Sequence, residues 1–199
     1  MGRRSTHTPE ELRQLILGAA REVIESDGLA ALSAREIARR IGYSAGTLYN
    51  IFDNLDDVRL TLQTQMLQDL VVQISSVETD GDAKRHVSQI LKTYVDFTFT
   101  NRQVWNMLFE YRTDTEGPVP QAMHDSLDRV IAIVGAALAP VLPKAQRCTA
   151  DQDARILWAG VHGITAIAAN NRTAGISHET AARYVDRLTA TYLRGLAAA

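Results

Sequence analysis

Ser33-Ala34-Arg35-Glu36-Ile37-Ala38-Arg39-Arg40-Ile41-Gly42-Tyr43-Ser44-Ala45-Gly46-Thr47-Leu48-Tyr49-Asn50-Ile51-Phe52 is the stretch that decides how this chain begins to fold. It reads as two short amphipathic helices joined by a tight turn, the layout of a helix-turn-helix. Ser33 and Glu36 form a capping box: the hydroxyl accepts a free amide at the helix start and the carboxylate reaches back. Ile37, Ala38 and Ile41 give the first helix one apolar face. Gly42 ends it, because glycine takes the left-handed conformation that a helix stop needs. Ser44 is a second N-cap. Leu48 and Phe52, four residues apart, share one face of the second helix and pack inward. Ser44, Ala45, Gly46, Thr47, Tyr49 and Asn50 then point elsewhere, and none of them is acidic. Such a face fits against a phosphate backbone and into a major groove. The plainer alternative is a surface helical hairpin whose Ser, Thr and Asn serve only as caps.

Outward from the hairpin, nearly every segment keeps helical periodicity, and the breaks fall at Gly, Pro, Asn and Asp. A first helix starts at Thr8-Pro9-Glu10-Glu11 and runs to about Asp27-Gly28. Asn54 caps a fourth, from Leu55 to about Val77. Others follow over about 83–100, 102–112, 119–139, 150–171 and 177–196. The expected fold is all-α, with about nine helices and a soft domain boundary at the start of the fourth, near 53–58. That helix is itself the mechanical link.

Composition narrows the field. The 199 residues are 46% hydrophobic and 22% charged, with net charge −2, ordinary for a soluble globular chain. Cys148 is the only cysteine, so no intrachain disulfide forms, which fits a reducing cytoplasm. The basic N-terminus lacks the apolar stretch of a secretory signal, and no apolar run is long enough to span a membrane. His7, His86, His124, His162 and His178 are too scattered for a local metal motif. A phosphate-binding glycine loop and a nucleophile elbow are missing too, so nothing argues for an enzyme, a cofactor or a metal. Asp56 and Asp57 sit where a helix dipole favours carboxylates.

Two further constellations stand out. The eighth helix is apolar almost all round. Leu157, Gly160, Val161 and Ile164 line one face, while Trp158 and His162 share another. A helix of that kind is buried on more than one side. With Val185, Leu188 and Tyr192 of the ninth helix it makes a self-complementary dimer face; the alternative is a plain intrachain core. His162 reads as a packed, hydrogen-bonded histidine. The second constellation is aromatic: Tyr94, Phe97, Phe99, Trp105, Phe109 and Tyr111 crowd six of the twelve aromatics into eighteen residues. Aromatic stripes on helices ordinarily build core.

Residues 12–58 resemble the N-terminal domain of the tetracycline-repressor (TetR) family of transcriptional regulators. The matching pieces are Ile16–Ala20, Gly28-Leu29, Leu32–Ala38, Ile41-Gly42, Gly46–Tyr49, and Phe52 with Leu55 and Val58. Trp158-Ala159-Gly160-Val161-His162-Gly163 is similar to the Trp-His-Gly signature of one subgroup of its C-terminal domains. The resemblance implies a DNA-binding domain at 1–53 and an effector-binding and dimerisation domain at 54–199. It also implies an effector cavity among helices four to seven, which draws in Tyr94, Phe97, Trp105 and Phe109, with Met107, Met123 and His124 as further lining. No basic cluster lies there, so the effector is apolar or aromatic. The last two helices of each subunit would pair across a two-fold axis, which makes the operator a roughly palindromic double-stranded DNA.

On that reading Ser33, Thr47 and Tyr49 touch phosphates, with Ser44, Ala45 and Gly46 on the same surface. Arg35 and Asn50 read base edges, since both can bond bidentately. Arg3 and Arg4 reach the flanking minor groove. The chain departs from the family where many members carry lysine, at Ala45 and Leu55. Residues 1–50 hold seven arginines against six carboxylates, so bulk charge does not make this a basic domain. The expected function is a ligand-responsive, homodimeric transcriptional repressor. The rival is an all-helical small-molecule-binding or interaction protein without DNA binding.

Overall fold

The computed structural model describes residues 7–110, 119–169 and 175–198; the side chains at 107–110 and 198 lie outside that description. Arg3, Arg4, Tyr111 and the side chains of Met107 and Phe109 are therefore outside the described set. The described residues form α1 (Pro9–Asp27), α2 (Ala34–Ile41), α3 (Ala45–Leu48), α4 (Leu55–Ser75), α5 (Ala83–Thr100), α6 (Arg102–Glu110), α7 (Gln121–Leu138), α8 (Ala150–Ala169) and α9 (His178–Ala198). Two short 3-10 turns, Leu29–Ala31 and Lys144–Thr149, complete the set. The fold is all-α, as the periodicity implies.

Local chemistry explains where these helices start. Thr8 accepts the amide of Glu11 at 3.2 Å, while Glu11 accepts the amide of Thr8 at 2.7 Å. That is a complete capping box. At α2 only half of the expected box forms: Ser33 accepts the Glu36 amide at 3.2 Å. The Glu36 carboxylate turns away to the arginines at i+3 and i+4, taking Arg39 Nε at 2.8 Å and Arg40 Nε at 3.0 Å. Charge-assisted bonds to guanidinium outcompete a neutral amide here. Asn54 caps α4 by accepting the Asp57 amide at 2.9 Å, and Asp57 accepts the Asp53 amide at 3.2 Å.

Packing divides the chain into two compact units. One takes in the chain up to Met66 and resumes at Gln103; the other comprises Leu67–Arg102 and everything from Gln121 on. The change from one unit to the other falls within α4, and α6 from Gln103 on belongs to the first unit.

In the first unit, Leu12, Ile16, Ala20 and Val23 of α1 pack with Ile37 and Ala38 of α2, and with Leu48, Phe52, Val58 and Leu62; all are buried. Gln103 of α6 donates to the Glu25 carbonyl at 3.0 Å. In the second unit, α8 lies between α7 and α9, and α5 packs on α9. Close approach is possible because glycines face the neighbouring helix. A Cβ at Gly160 would stand 2.8 Å from Leu188 Cδ2, and one at Gly135 would stand 2.5 Å from Asp151 Oδ1. Gly18, in the middle of α1, has open space where a Cβ would go.

The two environments predict different outcomes for the same substitution. Gly18→Ala should stabilise by about 0.5–1 kcal/mol, because alanine costs the helix less backbone entropy and meets no obstacle. Gly160→Ala should fall short of that gain, because Leu188 must swing aside. Urea unfolding followed by circular dichroism measures both; equal gains would show that the α8–α9 contact is not tight.

Candidate functional site

The hairpin presents its side chains in two sets. Leu48 and Phe52 face inward, 1% and 2% exposed, so α3 is pinned to the interior of the first unit. Gly42 closes α2 at φ 73°, and both it and Tyr43 donate to the Ala38 carbonyl. Arg13 lies over the Phe52 ring, its guanidinium carbon 4.4 Å from the centroid, and donates to Thr61 at 3.3 Å. The Tyr43 hydroxyl lies 2.6 Å from His7 Nδ1.

The outward set contains Arg35, Gly46, Tyr49 and Asn50, all exposed, with Ala45 and Thr47 partly so. Arg35, Tyr49 and Asn50 have side chains with no partner among the described residues. The Ser44 and Thr47 hydroxyls lie 2.9 Å apart, and Ser44 also accepts the Thr47 amide at 3.3 Å, which caps α3. The remaining cations of α2 are engaged. Arg39 and Arg40 hold Glu36 and lower its carboxyl to about 2. Arg40 also pairs with Asp27 and donates to Ser26, fastening α2 to the end of α1. Arg35, Ala45, Gly46 and Thr47 are thus each at least partly exposed.

The aromatic constellation is divided. Tyr94 and Phe97 on α5 belong to the second unit and Trp105 on α6 to the first, and all three are at most 3% exposed. On α7, Met123 is partly exposed and His124 exposed. In the second unit Tyr94 meets partners that spacing does not reveal: its hydroxyl lies 2.9 Å from His162 Nδ1. The His162 ring stacks on Trp158 with centroids 5.4 Å apart. Burial pushes the Tyr94 phenol well above its usual range, against the pull of hydrogen bonds from Thr165 and Trp158. A neutral phenol both donates and accepts, so the imidazole tautomer decides the direction of this bond. Burial also lowers the pKa of His162, which holds the imidazole neutral. The i, i+4 pair Trp158 and His162 is legible in sequence; Tyr94, 68 residues from His162, has no local signal.

The residues expected at a dimer seam also separate. Leu157, Val161 and Val185 are buried within their own chain, Gly160 faces Leu188, and the Tyr192 hydroxyl donates to Asp153 at 2.8 Å. These side chains serve the α8–α9 packing of one protomer, and a charge at Gly160 would disturb that packing first. Ile164 is partly exposed. The accessible apolar residues of these helices are Ile156 and Ile167, each 53% exposed, and Tyr184 at 47%. Ala159 and Gly163 lie on the same α8 stripe as the two isoleucines. Among the described residues no cluster of three or more His, Cys, Asp or Glu could hold a metal ion, and no helix is long and apolar enough to cross a membrane.

A small helical unit with an accessible hairpin, continued by a larger helical bundle, is the architecture of a helix-turn-helix regulator. Comparison with known proteins agrees. Residues 16–60 match the family model of bacterial regulatory proteins, tetR family, and residues 87–192 match the tetracyclin repressor-like C-terminal domain. The chain belongs to the TetR family and is a DNA-binding transcriptional regulator. The C-terminal match does not single out the Trp-His-Gly subgroup.

Solved structures share the fold at low identity. A transcriptional regulator from Rhodococcus sp. RHA1 is 21% identical, with 93% of this chain and 97% of that chain covered and a TM-score of 0.75. BioQ with its double-stranded DNA operator is 17% identical, with 94% and 98% covered and a TM-score of 0.64. Thermus thermophilus FadR, a repressor in complex with lauroyl-CoA, is 18% identical, with 89% and 93% covered and a TM-score of 0.62.

The Tyr94–His162 pair carries a pH dependence. The unfolded imidazole takes up a proton as pH falls through about 6.5, while the native one resists it, so stability drops below that pH. Melting temperatures between pH 7.5 and 5 should fall more steeply for the native protein than for His162→Gln. Parallel slopes would assign the proton uptake to other groups.

Proposed function

We propose that the protein is a homodimeric repressor that leaves a palindromic operator when a small apolar or aromatic molecule binds. Residues 1–53 read the DNA, and 54–199 bind the effector and pair the subunits. The observation that carries this reading is the hairpin surface: Arg35, Tyr49 and Asn50 are exposed and unengaged beside arginines that are already paired. Thr47, Tyr49 and Ser33 contact phosphates; Arg35 and Asn50 contact bases; Arg3 and Arg4 enter the adjacent minor groove. BioQ with its operator and FadR with lauroyl-CoA, both sharing the fold, support a DNA partner and a small-molecule effector. The effector binds in the second unit, in the region of Tyr94 and Phe97 of α5, with Met123 and His124 of α7 as the further candidates. Cys148 is free, and the working compartment is the cytoplasm.

The dimer forms on the accessible stripe of α8, with Ile156, Ala159, Gly163 and Ile167, and on Tyr184 of α9. Two isoleucines left half in water at helical spacing mark a surface meant for burial. Light scattering should return about twice the 21.9 kDa chain mass, and Ile156→Asp should shift the protein toward monomer. A native monomer at micromolar concentration would overturn the assembly.

DNA reading is tested by gel shift on the sequence upstream of the protein's own gene. Tyr49→Phe should weaken operator and random DNA alike, whereas Asn50→Ala should narrow the difference between them by about 1–3 kcal/mol. Equal losses on both DNAs from Asn50→Ala would remove its base-reading role. Once an effector is known, linkage makes the coupling reciprocal, at about 1–3 kcal/mol. Operator DNA must then weaken effector binding by the same factor. Identical effector affinities with and without operator would refute ligand release.

A further inference from the structure

The first unit carries a groove of about 800 Å³ between α1 and the end of α2. Its floor is apolar. Leu15 is 38% exposed, Ile41 is partly exposed, and Gly18 leaves open space where a Cβ would stand. Glu11, Leu15, Gly18 and Glu22 follow one stripe of α1, at the spacing that puts side chains on one face. His7, the first described residue, lines the groove where α1 starts. Its Nδ1, 2.6 Å from the Tyr43 hydroxyl, fastens that end to the turn between α2 and α3.

The edges are negative. Glu10, Glu11 and Glu22 all line the groove, and each keeps one carboxylate oxygen with no partner among the described residues. Arg40 lines it too, but its guanidinium is committed to Glu36 and Asp27. Glu22 has only Arg40, 3.9 Å away. These carboxylates do not converge on a point. Glu10 and Glu22 stand about 18 Å apart along the helix, which no single small cation spans. What fits is an extended chain with cations spaced along it and apolar stems to lay on the floor.

Met1-Gly2-Arg3-Arg4-Ser5-Thr6 is such a chain, joined to the groove at His7. It carries two arginines and no acidic side chain. Six extended residues reach about 20 Å at most, which matches the run from Glu10 to Glu22. Arginine stems lie on apolar surface while their heads reach outward to charge. An exposed ion pair alone is worth no more than about fivefold. Attachment at His7 makes the contact intramolecular, so pairs too weak to hold a free peptide suffice.

We propose that residues 1–6 turn back along α1 and seat in this groove, with Arg3 and Arg4 on its glutamates and their stems over Leu15 and Gly18. The arm is then held by its own domain, and DNA must compete for it. That competition rests on the minor-groove role proposed above for these arginines; the seat itself does not.

A spin label at Gly2→Cys, in the full-length ¹⁵N-labelled protein with Cys148→Ser, tests the seat through the broadening of backbone amide signals. Without DNA, the amides of Gly18 and Glu22 should broaden. At Glu22 the broadening should be lost when Arg3→Gln and Arg4→Gln are combined. It should also be lost in Gly18→Trp, which fills the groove without changing its charge. Sharp Gly18 and Glu22 signals in the DNA-free protein would overturn the proposal, as would broadening that survives both variants. Spin-labelled chains lacking ¹⁵N, mixed with ¹⁵N chains lacking the spin label, should produce no broadening. Broadening in that mixture would seat the arm of a second copy instead and overturn the contact within one chain. Duplex DNA rich in A·T pairs should sharpen the Glu22 signal again. Broadening retained with that DNA bound would refute the competition and the minor-groove role while leaving the seat in place.

Discussion

A four-residue helix cannot hold itself together in water, because nucleation fixes more dihedral angles than it gains hydrogen bonds. Yet α3 (Ala45–Leu48) positions the surface on which the DNA reading proposed above rests. Its geometry is imposed by Leu48 and Phe52, both buried, each contributing about 1.5–3 kcal/mol by leaving water. Arg13 closes the pocket from above Phe52 and ties it to Thr61 at the start of α4. The left-handed Gly42 sets the angle between α2 and α3. Tyr49 and Asn50 face outward because their neighbours are held inward, so the functional face is a by-product of core packing. A loss at Leu48 or Phe52 would scatter the reading residues without touching one of them.

What the sequence makes legible is what depends on near neighbours. Thr8, Ser33, Ser44 and Asn54 each cap the helix that their type and spacing announce, because a cap needs only the next three residues. The Ser33–Glu36 box shows the limit even at short range. Glu36 has an amide and two arginines within reach, and pattern alone does not rank them; charge does. α8 shows the limit at long range. Its sequence declares an apolar helix but not which face meets its own chain. Leu157 and Val161 turn inward and Ile156 outward, and neighbours in sequence stand only about 100° apart around a helix. That rotation is set by α7 and α9, as the meeting of Tyr94 with His162 is set by the packing of α5 on α8.

Three buried hydroxyls of the second unit are supplied from close by, whereas Thr189 Oγ1 is buried with no partner among the described residues. Thr98 donates to the Tyr94 carbonyl, Ser126 to that of Ala122 and Thr165 to that of His162, each within one turn of helix. Such bonds cost little to arrange, because the helix presents the acceptor already. The His162 imidazole is met from another helix, by the Tyr94 hydroxyl at 2.9 Å. His86, on the same helix as Tyr94, has its Nδ1 buried with no partner among the described residues.

Electrostatics decides what kind of DNA reader this hairpin makes. Arg39 and Arg40 lie on α2 beside the reading face, but both are held by Glu36, and Arg40 also by Asp27. Recruiting either to a phosphate exchanges one anionic partner for another, and the net gain of such an exchange is small. Arg35 has no partner to lose among the described residues, so on the proposed reading its interaction is available to DNA. Ala45 and Leu55 are uncharged, so neither adds a cation here. Non-specific affinity grows with the number of phosphates neutralised, and its salt dependence grows with it, by about 0.9 in log–log slope per phosphate. A face with few free cations therefore binds random DNA weakly and is comparatively insensitive to salt. Discrimination must come from a small number of directed contacts. Those contacts sit on an element fixed by core packing, so a modest tilt of that element is enough to break them together. A reader that relies on geometry more than on charge is well suited to being switched by a change of shape.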